Sequence, residues 1–166
     1  MTRWSVVLIL TLAVSGCSSI HRSTSEVVET GWLDRSVFAQ PALSEFQAAY
    51  DSTQVSPDVI QLLREADSGL DMIVFLGTWC PDSKRQVPRF LKIIDLAGIP
   101  PTRVRLYGVD RSKKSQDGLT DQYSISLVPT FIFLRKGTEV GRIVEVPQTS
   151  MEMDMLSIFA ATRQRQ

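Results

Sequence analysis

The chain has little sulfur and almost no histidine: two cysteines and one histidine in 166 residues. A protein-only zinc or iron–sulfur site needs several such ligands held together, so no metal and no cofactor is expected. With so few cysteines, an internal disulfide framework is excluded as well. Charge excess is also missing, because 18 basic side chains balance 18 acidic ones. There is no basic run and no interleaving of aromatic with basic residues, so nucleic acid is not an expected partner. No apolar stretch reaches the roughly 20 residues needed to span a bilayer. No internal repeat is visible. What remains to be explained is where the two thiols stand.

Cys17 is accounted for by the N-terminus. Arg3 supplies a positive charge, Trp4 to Val14 is almost wholly apolar, and Ser15-Gly16-Cys17 follows. This is the order of a secretory signal: n-region, h-region, then a small-residue cleavage site. Val14-Ser15-Gly16-Cys17 also resembles the bacterial lipobox. That resemblance implies a signal peptide over residues 1–16 and a Cys17 that becomes the lipidated mature N-terminus, carrying palmitate-type acyl chains. Ser18 after the cysteine, by the same resemblance, implies the outer membrane of a Gram-negative cell, with the domain facing the periplasm. Several acyl chains on one residue would make the anchor stable.

Without the signal about 150 residues remain, enough for one domain with a proper core. Residues 17–30, rich in Ser and Thr and holding His21, read as a flexible lipid-anchored tether. Residues 31–70 read as an N-terminal helical extension. Its Gly31–Gln40 part is weakly patterned. Leu43, Phe46 and Tyr50 stand at helical spacing after Pro41, and a second helix follows Ser56 as N-cap and Pro57 as first residue, with Val59, Ile60, Leu62 and Leu63 as its apolar face. Gly69 fits its end.

From residue 71 to 166 strands and helices alternate. Met72–Leu76 is a short continuous apolar run, as in a strand covered on both faces. The pattern predicts a helix from about Pro81 to Leu96, ended by Gly98-Ile99-Pro100-Pro101. Arg103–Val109 alternates like a strand with one wetter face, and Leu119–Tyr123 suits a short helix. Phe131–Leu134, a Lys136-Gly137 turn and Glu139–Val144 make a hairpin. Met151–Thr162 closes the chain with Met153, Leu156, Phe159 and Ala160 available as a core-facing stripe. The order predicts an α/β fold with a mixed central sheet flanked by helices.

Cys80 lies in Thr78-Trp79-Cys80-Pro81-Asp82-Ser83-Lys84, between the apolar strand and its helix. A cysteine at a helix N-terminus meets unpaired backbone N–H groups, which favour thiolate. Asp82 opposes this and Lys84 and Arg85 offset Asp82. Pro81 suits the first helical position. Ser83 can hydrogen-bond the thiolate but cannot attack a disulfide near neutral pH, so a mixed disulfide on Cys80 would wait for an outside thiol. The plainer alternatives are a buried core cysteine, a serine that only fills space, and a Trp79 that only packs.

The stretch from Met72 to Ala161 resembles the thioredoxin family. Trp79-Cys80-Pro81-Asp82-Ser83 is similar to the Trp-Cys-x-x-Cys site with serine in place of the second cysteine. Pro88 falls where that family's helix carries a proline, which would either kink the helix or break it in two. Val128-Pro129-Thr130 resembles the loop whose cis-proline faces the active site. The resemblance implies a thioredoxin-like fold, Cys80 and Ser83 as the catalytic pair, and Trp79, Pro81, Val128, Pro129 and Thr130 as substrate-binding positions. It further implies partners that are envelope proteins with oxidised cysteines, and an external thiol reductant. One departure is Val74, which stands where many thioredoxins carry a buried acid serving the second cysteine. A peroxiredoxin would want a proline ahead of its cysteine, and Phe75-Leu76-Gly77-Thr78 has none. A monothiol glutaredoxin would want Gly-Gly after Phe131–Leu134. Two functions stay open: thiol–disulfide exchange through one nucleophilic cysteine, and a redox-inactive module that binds a peptide or protein.

Overall fold

A computed structural model describes residues 26–164. Five strands form one mixed sheet: β1 (Gly31–Leu33), β2 (Asp71–Leu76), β3 (Val104–Gly108), β4 (Thr130–Arg135) and β5 (Thr138–Val144), in the spatial order β1-β3-β2-β4-β5. β2 runs parallel to β3, and the other neighbouring pairs are antiparallel. The α/β reading with a mixed central sheet holds.

β2 is the middle strand, and Met72 to Leu76 are all buried, as its unbroken apolar run requires. Alternate residues serve opposite faces. Met72, Val74 and Leu76 join Phe131 and Phe133 in the larger core, under α1 (Ser44–Ser52), α2 (Pro57–Ala66), α3 (Pro81–Ala97) and α5 (Met151–Arg163). Ile73, Phe75 and Ile132 face a smaller cluster with Tyr107, Val109, Ile125, Val128 and Cys80, beside the short helix α4 (Leu119–Gln122).

The crossover from β2 through α3 to β3 fixes the site, because α3 starts directly beyond the end of β2. Gly98 ends the helix in the left-handed conformation, its N–H turned back to Asp95 and Ile94. Pro88 lies inside α3 without breaking it, so the alternative of two separate helices is not what forms. Lys136 and Gly137 both take positive φ in a two-residue hairpin turn between β4 and β5, which that geometry demands.

Several local expectations need correction. The extension over residues 31–70 is not wholly helical. Gly31–Leu33 is a strand paired antiparallel to β3, and 3-10 turns at Arg35–Ala39 and Pro41–Leu43 precede α1. Such a short strand leaves no period to read, and it is held by pairing with residues far along the chain. Ser56 occupies the N-cap of α2 without a side-chain bond there. Leu62 is 49% exposed, and Ile60 and Leu63 carry the buried face. Of the expected stripe on α5, Phe159 is buried and Leu156 packs against the core, but Met153 is 40% exposed, and Met151 and Met155 complete the buried face. β3 is buried from Leu106 to Gly108 on both faces, because Tyr107 enters the smaller cluster.

The extension is fastened to α3 by polar contacts. Arg35 donates two hydrogen bonds to Asp95, and Tyr50 adds a third at 2.6 Å. Burial pushes the Asp95 carboxyl upward, but the bonds from Arg35 and Tyr50 outweigh it and hold the carboxyl below its ordinary value. Arg89 on α3 pairs with the buried Glu152 on α5 at 2.6 Å. Glu152 is lowered in the same way: burial opposes the shift and the Arg89 hydrogen bond outweighs it.

Candidate active site

Cys80 is the N-cap of α3 and Pro81 its first residue, so the thiol stands where the first N–H groups of a helix have no partner of their own. The side chain is 6% exposed. Its Sγ donates toward the Val128 carbonyl oxygen at 3.2 Å, and the Val128–Pro129 peptide bond is cis. Two segments separated by the whole of α3, β3 and α4 thus meet at one sulfur.

Ser83 lies one turn into α3 and is wholly buried. Its Oγ accepts a hydrogen bond from the Gly77 N–H at 3.1 Å. The hydroxyl therefore closes the turn between β2 and α3, a role that sequence reasoning did not assign to it. Val74, two positions before the end of β2, is fully buried in the larger core and offers no proton acceptor there.

Trp79 is half-buried, with its indole N–H donated to the Val109 carbonyl at 2.8 Å. The ring lies against Gly77 so closely that a Cβ on that glycine would stand 2.6 Å from it. The guanidinium of Arg111 sits 4.8 Å from the ring centroid on the Trp79 face, a cation–π contact. Pro81 is exposed beside the sulfur, whereas Pro129 is buried. Thr130 is also buried, and its hydroxyl donates to the Leu127 carbonyl at 2.7 Å, so it shapes the proline loop from within. The structure brings Trp79, Cys80, Pro81 and Val128 together, with Ser83 and Thr130 bracing them from beneath.

The nearby charges are paired. Asp82 bonds Arg85 within the first turns of α3, so its negative charge beside the sulfur is met locally. Lys84 pairs with Glu45 of α1 at 3.0 Å instead of with Asp82. Among the described residues Cys80 is the free cysteine, and no group of three or more His, Cys, Asp or Glu side chains stands together as a metal site. Cys17 and His21 lie outside the described residues.

The neighbourhood also contains residues that the sequence did not single out. The tether expected over residues 17–30 is shortened at its end, because Val27 and Glu29 are hydrogen-bonded to Thr78. Glu26 pairs with Arg111 at 2.7 Å. No periodicity marks these contacts, since their partners lie some 50 to 85 positions away in sequence.

The thioredoxin family model matches residues 39–159. The match takes in α1 and α2, ahead of Met72 where the resemblance read from motifs begins. A thioredoxin-like protein of Acanthamoeba polyphaga mimivirus is 26% identical over 99 residues, covering 60% of this chain and 69% of its own. A thioredoxin of Malassezia sympodialis is 32% identical over 82 residues, 49% of this chain and 73% of its own. Among solved structures, a Pseudomonas aeruginosa protein of unknown function shares the fold with a TM-score of 0.58 at 16% identity, over 81% of this chain and 94% of its own. The sequence matches support a redox role of the thioredoxin kind. A family match over most of the chain, on a sheet that sets a helix-capping thiol against a cis-proline loop, establishes that this chain belongs to the thioredoxin family.

Proposed function

We propose that the protein is a monothiol exchange protein of the cell envelope, in which the Cys80 thiolate attacks mixed disulfides or sulfenic acids on other envelope proteins. The observation that carries this reading is the pairing at the start of α3. A thiol faces the Val128 carbonyl, and a buried serine oxygen, bonded to the Gly77 N–H, occupies the place of a second sulfur. Such a site can make a disulfide with a substrate but cannot resolve it internally.

On a mixed disulfide between a protein sulfur and a small thiol, the Cys80 Sγ forms a bond to the small-thiol sulfur. The substrate S–S bond breaks, and the protein sulfur leaves as thiolate with the bonding pair. An external thiolate then attacks the small-thiol sulfur now on Cys80, forming a small-molecule disulfide and releasing Cys80 thiolate. On a sulfenic acid, Cys80 displaces hydroxide and forms a disulfide to the protein. Two external thiols then restore both cysteines, and the products are one disulfide and water. The helix start would favour the thiolate, and Ser83, bonded to Gly77, holds the turn that carries it. Exposed Pro81, half-buried Trp79 and the Val128 backbone form the surface on which a substrate chain would lie.

In the same proposal Cys17 carries the lipid anchor, placing the domain on the outer membrane facing the periplasm. An odd thiol in that oxidising compartment is then maintained by its reductant.

A second reading is favoured by one observation: Cys80 is nearly buried and packs with Ile125, Val128 and Ile132. On that reading the Trp79 and Pro129 region binds a peptide and the thiol is incidental. Trapping in cells separates the two. Envelope proteins should be captured in disulfide linkage to wild-type chain and lost from Cys80→Ser. Absence of any disulfide-linked protein on the wild-type chain, with equal non-covalent capture by both proteins, sinks the exchange reading and supports the binding module.

A further inference from the structure

Thr78 stands immediately before Trp79-Cys80 and is only 1% exposed. Its hydroxyl uses both of its capacities on one distant segment, donating to the Val27 carbonyl at 2.6 Å and accepting from the Glu29 N–H at 3.1 Å. The same segment passes the end of β3 so tightly that a Cβ on Gly108 would lie 2.4 Å from the Glu29 carbonyl oxygen. At its outer end Glu26 pairs with Arg111, whose guanidinium covers the Trp79 ring. Trp79 in turn is tied to Val109, the residue after β3. Residues 26–29 thus reach the turn that carries Cys80 through two routes: the Thr78 hydroxyl, and Arg111 stacked on Trp79.

A hydroxyl that bonds both ways to one chain segment is more than a filler. A buried valine of nearly the same shape would pack there, but it would leave a carbonyl and an N–H unpaired. Residues between β2 and α3 have no sheet partner to set their position, so the Thr78 bonds to the strap join the Ser83–Gly77 and Trp79–Val109 bonds in fixing the turn. Active-site groups held a fraction of an ångström off lose rate steeply, and the residues that hold them share in the outcome.

We propose that Thr78 is a positioning residue for Cys80, acting through the strap of residues 26–29, and that this strap is a working wall of the active site. The inference rests on the thiol-exchange reading given above. It assigns the last part of the expected tether to the site: displacing the strap disturbs the thiol through Thr78 and through Arg111 on Trp79.

The test uses the full chain with oxidised glutathione as probe, and follows glutathione uptake on the Cys80 peptide by mass spectrometry. Thr78→Val should slow uptake about threefold or more, and Thr78→Ser, which keeps the hydroxyl, should stay within about twofold of wild type. Glu29→Pro removes the donated N–H without changing any residue of the sheet or the helices, and should slow uptake as Thr78→Val does. Wild-type rates in Thr78→Val and Glu29→Pro overturn the inference, and so does slowing in Thr78→Val alone. If wild-type Cys80 takes up no glutathione, it is the exchange reading that fails. If Thr78→Val does not fold, the Glu29→Pro rate decides.

Discussion

Cys80 and Val128 are 48 positions apart in the chain, yet the sulfur of one lies 3.2 Å from the carbonyl oxygen of the other. That contact closes the site. It sets the thiol at the start of α3 against the loop leading into β4, with the buried Ser83 hydroxyl on the α3 side. A substrate sulfur bound to Cys80 would lie beside the backbone of Val128.

Replacing Ser83 by cysteine restores a second thiol one turn from Cys80, on the same helix end. The Ser83→Cys chain should form an intramolecular disulfide on mild oxidation. A thiol count before and after oxidation checks this, and two persisting thiols in the domain would mean that the side chains do not meet.

Ser83→Ala should cost stability although it removes only one oxygen. The Gly77 N–H would lose its partner in a buried turn, at about 1–3 kcal/mol. Denaturant unfolding with unchanged slope measures the loss. Ser83→Thr, which keeps the acceptor, should lose less if the added methyl is tolerated in so closed a position, so the Ala variant is the decisive one.

Gly77→Ala should move the Trp79 ring off its seat, because the new Cβ would stand 2.6 Å from the ring. Loss of the indole bond to Val109 should then appear as faster exchange of the Trp79 indole N–H with solvent, read by NMR. An unchanged indole resonance would contradict the packing described.

Acid should weaken the union of the N-terminal extension with α3. The Asp95 carboxyl is held below its ordinary value of 3.8 by Arg35 and Tyr50, against the opposing effect of burial. A carboxyl depressed in the folded state contributes stability that is fully present above its unfolded value and is lost as pH falls from there through the lower folded value. Glu152, depressed from 4.5 by Arg89 against its burial, acts in the same direction. Stability should therefore hold from neutral pH down to the ordinary carboxylate values of 4.5 and 3.8 and fall as pH drops below them, and Asp95→Asn should flatten part of that fall. A curve for Asp95→Asn parallel to wild type would show that Asp95 contributes nothing to it.

Much of this architecture was legible in short stretches. The apolar run Met72–Leu76, the Pro81 start and Gly98 end of α3, and the Lys136-Gly137 turn each depend on neighbours within a few residues. Helix caps, turn conformations and the periods of strand and helix are local, so their residues reveal them. The faces were less legible: Leu62 and Met153 look like core residues and stand exposed, because which side of a helix is covered depends on where its neighbours pack.

The positions of Cys80 and its serine likewise follow from the order of residues alone, and so does the lack of a second cysteine one turn along the helix to resolve a disulfide. The supports of that thiol do not. Ser83 turning to Gly77, Thr130 turning to Leu127, and the strap of Val27 and Glu29 clamped on Thr78 are hydrogen bonds whose partners are set by how the segments pack. A polar side chain shows its capacity to bond in the sequence, but the choice of partner falls to the fold, because burial removes water and leaves the nearest unpaired backbone group to satisfy it.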